Sequence, residues 1–128
     1  MMHPKSPKLL HDILEACNLI QTATQDRTLR DYELDRVLCS AVERNFEIIG
    51  EALKQLAKVD SATAGRIPEH GAIIGFRNLL IHGCDYVDHS RVWAIIQNDV
   101  PRLREQVEKL LREAEEQTEP PRQGGPKQ

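Results

Sequence analysis

The sequence predicts an all-α protein, a four- to five-helix bundle. Three observations carry that reading. Apolar residues recur at spacings of three and four along most of the chain, the period of an amphipathic helix. Leu, Ile, Val and Ala supply the apolar content and aromatics make up only 4%, a composition that favours helix over sheet. Turn and cap residues punctuate the periodic stretches: Asp31, Gly65 with Pro68, Gly83, and Asp88 or Ser90.

The first helix is expected over about 7–24, with the stripe Leu10, Ile13, Leu14, Cys17 and Ile20. A polar connection, 25–31, ends on Asp31, which can cap the next helix. That second helix is long, about 32–58, and is expected to bury Leu34, Val37, Leu38, Ala41, Val42, Ile48, Ile49, Ala52, Leu53 and Leu56. Asn45 interrupts that stripe, and an amide there should face a partner or a site. Residues 59–69 read as a loop. A third helix, about 70–82, is apolar almost all round and should sit centrally, stopped by Gly83. The fourth carries Val92, Trp93, Ile95 and Ile96. Pro101 should break or kink it, with Asn98 or Asp99 as a new cap, before Leu103, Val107, Leu110 and Leu111 continue to about 114. Residues 115–128 hold three prolines, two glycines and no large apolar side chain, so they read as a disordered tail on a single domain, 1–114.

A chain of 128 residues can bury a core without staples, though small bundles often complete theirs by dimerising. The three cysteines, Cys17, Cys39 and Cys84, form no obvious framework and suit a reducing cytoplasm; Cys17 and Cys39 fall on apolar stripes. No apolar run approaches the roughly 20 residues that cross a bilayer, and Met1–Lys8 has no apolar stretch of the signal-peptide kind. The net charge of −3 excludes a protein that grips nucleic acid through bulk positive charge. Any action on RNA must use a local cationic site.

The chemically loaded stretch is Gly75-Phe76-Arg77-Asn78-Leu79-Leu80-Ile81-His82-Gly83-Cys84-Asp85-Tyr86-Val87-Asp88. A guanidinium in an otherwise apolar helix costs several kcal/mol unless it is paired or opens to solvent. Asn78 and His82 are one turn apart and share a face. Arg77 and His82 lie about 140° apart around an ideal helix and can meet only at the rim of one groove. Histidine moves protons near neutrality and arginine holds phosphate bidentately. Together they suffice for transesterification of RNA without a metal, because RNA carries its own 2′-OH nucleophile.

With the second-helix run Ala41-Val42-Glu43-Arg44-Asn45-Phe46-Glu47-Ile48-Ile49-Gly50-Glu51-Ala52 and the later Val92-Trp93, these residues resemble the HEPN superfamily, and more closely the HepT-like ribonuclease toxins. The resemblance covers nearly the whole ordered chain. It implies a helical bundle that dimerises across a two-fold cleft, metal-independent RNA cleavage by Arg77 and His82, and pairing with a nucleotidyltransferase antitoxin. In that family the antitoxin can transfer AMP from ATP to a tyrosine two residues after the histidine. Here that position is Cys84, and the nearest phenol is Tyr86, which would be the acceptor. Ile67-Pro68 is followed by Glu69 and His70, where the family often has Trp.

Other readings of the same residues stay open. Arg77 could be structural, tied to Glu43, Glu47 or Glu51, which recur every fourth position on the second helix. Those glutamates could be a solvated face, or Glu47 and Glu51 could support Arg77 and His82 from behind. His82 could simply favour a helix C-terminus. The spacing of His82, Cys84, Asp85 and His89 matches no common zinc pattern, and no metal or cofactor is expected. A non-catalytic interaction protein with the same bundle, binding a nucleotidyltransferase or nucleotide, is the alternative function.

Overall fold

The structure is a computed structural model that describes residues 2–67, 73 and 88–118. Among these residues the chain is helical and contains no strand, the expected all-α class. Its elements are α1 (Ser6–Thr24), α2 (Leu29–Leu34), α3 (Arg36–Val59), α4 (Ser61–Ala64) and α5 (His89–Thr118).

α1 forms where its stripe predicted, with Leu10, Ile13, Cys17 and Ile20 at most 1% exposed. It packs against both α3 and α5. The chain leaves α1 through Asp26, whose φ of 60° is left-handed, a conformation that Asp tolerates better than most side chains.

The expected long second helix is instead two. Asp35 ends α2 and caps α3, its Oδ1 accepting from the Leu38 N–H at 3.0 Å. α2 has its own capping box: the Asp31 N–H donates to Thr28 Oγ1, and the Thr28 N–H donates to Asp31 Oδ2. Asp31 therefore lies inside the first turn, and Thr28 is the cap. The break turns the apolar residues beside it outward. Leu34 is 72% and Val37 80% exposed, and Ala41 is exposed too, against the expected burial. Among the described residues the Asn45 amide meets only its own helix, donating to the Ala41 carbonyl one turn back, at 2.8 Å.

Residues 59–69 hide the single turn α4, capped by Asp60. Of the expected third helix, Ile73 alone is described, and it is helical and 2% exposed. Asp88 starts α5, accepting from the Ser90 N–H at 2.9 Å. Pro101 does not divide this helix, which runs unbroken from His89 to Thr118. Pro101 is exposed, while Ile96, Val100, Leu103, Val107 and Leu110 keep the buried stripe continuous past it. The packing of that stripe outweighs one missing backbone bond. Residues 115–118, expected in the tail, extend α5, and 119–128 lie outside the described residues.

The core joins the α1 stripe to Val42, Phe46, Ile49, Leu53 and Leu56 of α3 and to the α5 stripe. Cys17 and Cys39 are buried free thiols, as their positions predicted. No helix among the described residues is long and apolar enough to cross a membrane.

Candidate functional site

The segment singled out by its chemistry begins two residues after Ile73 in the sequence. Arg77, Asn78, His82, Gly83, Cys84 and Tyr86 all lie outside the described residues. The structure shows the frame that holds its two ends and the side chains that face that frame.

The entry is tied to α5. Arg66 forms a two-pronged ion pair with Glu113, at 2.7 and 2.9 Å, and its carbonyl accepts from Gln106 Nε2 at 2.9 Å. The Arg66 and Glu113 side chains are 47% and 30% exposed, so the pair fixes geometry more than it adds stability. Ile67, next in the chain, is fully buried. The exit is the capped start of α5 at Asp88. Both ends are thus set by one helix.

A second piece of frame lies where α2, α3 and the start of α5 meet. Tyr32 is fully buried, its ring edge-on to His89 at 5.4 Å between centroids and tilted on Trp93 at 5.7 Å. Its hydroxyl is buried with no hydrogen-bond partner among the described residues. Burial pushes the Tyr32 phenol above its ordinary pKa, and the negative charges of Cys39 and Glu43 push it further. Glu43 is half-buried, and that burial raises its pKa. His89 pulls it down, and neighbouring Glu47 adds to the rise. His89, considered in the sequence beside His82 and Cys84, is therefore packed on an aromatic ring at the head of α5.

The three glutamates on α3 are not a solvated face, since all are half-buried. Glu47 and Glu51 line one groove of about 360 Å³ between α1 and α3, with Arg44 and Asp12. Glu51 Oε2 accepts from Gln55 Nε2 at 2.9 Å. The structure thus brings the two supporting candidates together. The grouping of Tyr32, Glu43 and His89 was not singled out from the sequence. The rarity of aromatics was the available signal, since Tyr32 and Trp93 are among only three Tyr and Trp residues in the chain.

An all-helical bundle whose sequence carries an Arg–His segment defines a class, and comparison with known proteins places the chain within it. Residues 13–110 match the model of the family described as ribonuclease HepT-like. The chain belongs to that family. It is similar to the "Probable ribonuclease HepT" of Thermococcus cleftensis, 35% identical over 79% of this chain and 91% of that protein. It is also similar to a protein named "Putative RNase" of Caldanaerobacter subterraneus subsp. tengcongensis, 33% identical over 84% of this chain and 96% of that protein. A third relative, the "Gamma-glutamylcyclotransferase and putative RNase" of Methanocaldococcus jannaschii, is 35% identical over 81% of this chain, which spans only 46% of its length. No solved structure matches the chain.

Proposed function

We propose that the chain is a metal-independent endoribonuclease, the toxin of a toxin–antitoxin pair, cutting RNA by attack of a 2′-OH on the adjacent phosphate. The observation that carries this reading is the extent of the family match, which spans 13–110 and so includes Arg77 and His82. His82 is the residue of that segment able to take a proton from the 2′-OH and return one to the leaving 5′-oxygen near neutral pH. In a homodimer, two copies of His82 at one cleft divide those roles. Arg77 meets the negative charge that builds on the phosphoryl oxygens. Asn78 positions His82 or the phosphate by hydrogen bonds, and Glu47 and Glu51 support the pair from α3. The product ends in a 2′,3′-cyclic phosphate or its hydrolysed form. The nucleophile comes from the substrate, so the reaction needs no metal or cofactor.

The partners in this reading are a second copy of the chain, RNA, and a nucleotidyltransferase antitoxin that silences the toxin by AMP transfer from ATP to Tyr86. Leu34 and Val37, exposed on either side of the Asp35 break, are apolar surface of the kind subunit contacts cover. The test is RNA cleavage by the wild type against Arg77→Ala and His82→Ala. Arg77→Ala should lower the rate about 10²–10³-fold, and EDTA should leave the wild type unaffected. A substrate with 2′-deoxyribose at the cut position should resist. Activity that returns only with magnesium or manganese, or full activity in His82→Ala, would remove the mechanism.

A further inference from the structure

A cleft of about 560 Å³ lies between the last turns of α1, the connection to α2 and the middle of α5. Its lining is almost wholly polar, Ile96 and Pro101 being the apolar exceptions. Four of its lining residues carry side-chain amides, Asn18, Gln21, Gln25 and Gln97, two carry guanidiniums, Arg27 and Arg104, and one is an acid, Asp26. The lining itself thus holds two cations to one acid, with the carboxylates of Asp35 and Glu108 just outside it.

Both cations are held loosely enough to serve a ligand. Arg104 donates from Nε to Asn18 Oδ1 at 2.6 Å, which fixes the plane of its guanidinium, while its nearest carboxylate, Glu108, is 3.4 Å away. Arg27 stands 3.5 Å from Asp35. Long ion pairs at such partly exposed sites are weak and yield readily to a phosphate that accepts two parallel N–H bonds.

Pro101 adds a third feature. It has no N–H, so the Gln97 carbonyl one turn back lacks its usual helix donor, although α5 continues past it. Gln97 and Pro101 share the helix face that forms one wall of the cleft. A carbonyl without its donor takes one from outside the helix, and the exocyclic amino group of a nucleobase is such a donor. Side-chain amides both donate and accept, which is what the edge of a base requires.

We infer that this cleft is a subsite for one nucleotide of an RNA strand, with the phosphate on Arg27 and Arg104 and the base edge on the amides and the Gln97 carbonyl. The inference rests on the ribonuclease reading but on none of its catalytic residues. Gln97 lies about 12 Å along α5 from His89, the first residue of that helix.

The test is binding of a fluorescent 2′-O-methyl oligoribonucleotide, which cannot be cut, read by anisotropy at several salt concentrations. Arg27→Gln/Arg104→Gln should weaken binding about tenfold and flatten its salt dependence by about one to two contacts. Pro101→Ala restores the helix N–H, so it should melt no lower than the wild type and yet bind about three- to tenfold more weakly. That pairing separates a lost contact from a damaged fold. Wild-type affinity in both variants, or no binding by the wild type, would overturn the subsite. AMP binding as tightly as the oligomer would overturn its assignment to an RNA strand. The same preparations assayed on ordinary RNA keep the two ideas apart, since binding without cleavage removes the catalytic reading and leaves the subsite standing.

Discussion

Replacing Asp60 with Ala should cost the fold about 2–4 kcal/mol, and the cost should vanish in acid. Asp60 lies at the joint of α3 and α4. Its Oδ1 accepts from the Thr63 N–H at 3.2 Å, which caps α4. Its Oδ2 accepts from Ser6 Oγ and Thr63 Oγ1, both at 2.7 Å, and from the His3 N–H at 3.0 Å. One carboxylate thus ties the N-terminus and the start of α1 to the end of α3. A lost cap costs about 0.5–2 kcal/mol. Ser6 is fully buried, so its orphaned hydroxyl adds about 1–3 kcal/mol, with the upper values trimmed because Asp60 itself is partly exposed and screened by water. Burial alone would raise the Asp60 pKa, but the hydrogen bonds overrule it and hold the carboxyl well below its usual range. A depressed folded pKa gives stability that is full above the unfolded value, about 3.9, and lost as pH falls through the folded one. Urea melts followed by circular dichroism should therefore show wild type and Asp60→Ala far apart at neutral pH and converging in strong acid. Asp60→Asn should keep the α4 cap, leave the His3 N–H without its acceptor, and fall between. A gap under about 0.5 kcal/mol at neutral pH, within the scatter of ordinary surface changes, or a gap that persists in acid, would refute the reasoning.

Tyr32→Phe should leave the protein as stable or stabilise it by about 1–3 kcal/mol, because it removes a buried hydroxyl that has no partner among the described residues; a lower melting point would show that the phenol is in use. Glu43→Gln should stabilise the fold at neutral pH and do nothing below the carboxylate range, since a raised pKa means stability is lost as pH climbs through the unfolded value toward the folded one; equal melts at neutral pH would contradict this. Cys17, pushed up to about 12 by burial against the pull of Arg104, should resist alkylation in the native protein and react on unfolding, which mass spectrometry of labelled peptides would read.

The parts of the fold that were legible are those where one signal acted alone. α1 carries an uninterrupted stripe and no competing cap, and its ends came out within a residue. The break at Asp35 was not legible, because Leu34, Val37 and Leu38 continue the helical spacing straight across it. A carboxylate that caps from within a periodic run overrides the period locally. Pro101 misled in the opposite direction, since its penalty is local while the stripe around it is buried over its whole length. The candidate site was read from the chemistry of Arg77 and His82, which the described residues do not include. The structure added that Glu47 and Glu51 share a groove, a relation that spacing suggested. It also added that Tyr32 and His89 touch, which no spacing could show, because 57 residues separate them.

The short helix α2 owes its place to one side chain. Tyr32 is its only buried residue, and the helix is capped locally at both ends, by Thr28 and by the Asp35 N–H on the Tyr32 carbonyl. Such an element can detach as a unit at far less cost than global unfolding, carrying its ring off His89 and Trp93 as it goes. Trp93 is the only tryptophan in the chain. The protein therefore contains its own optical gauge: indole emission tracks the seating of α2 at the head of α5, beside the exit of the segment that bears His82, with no label attached.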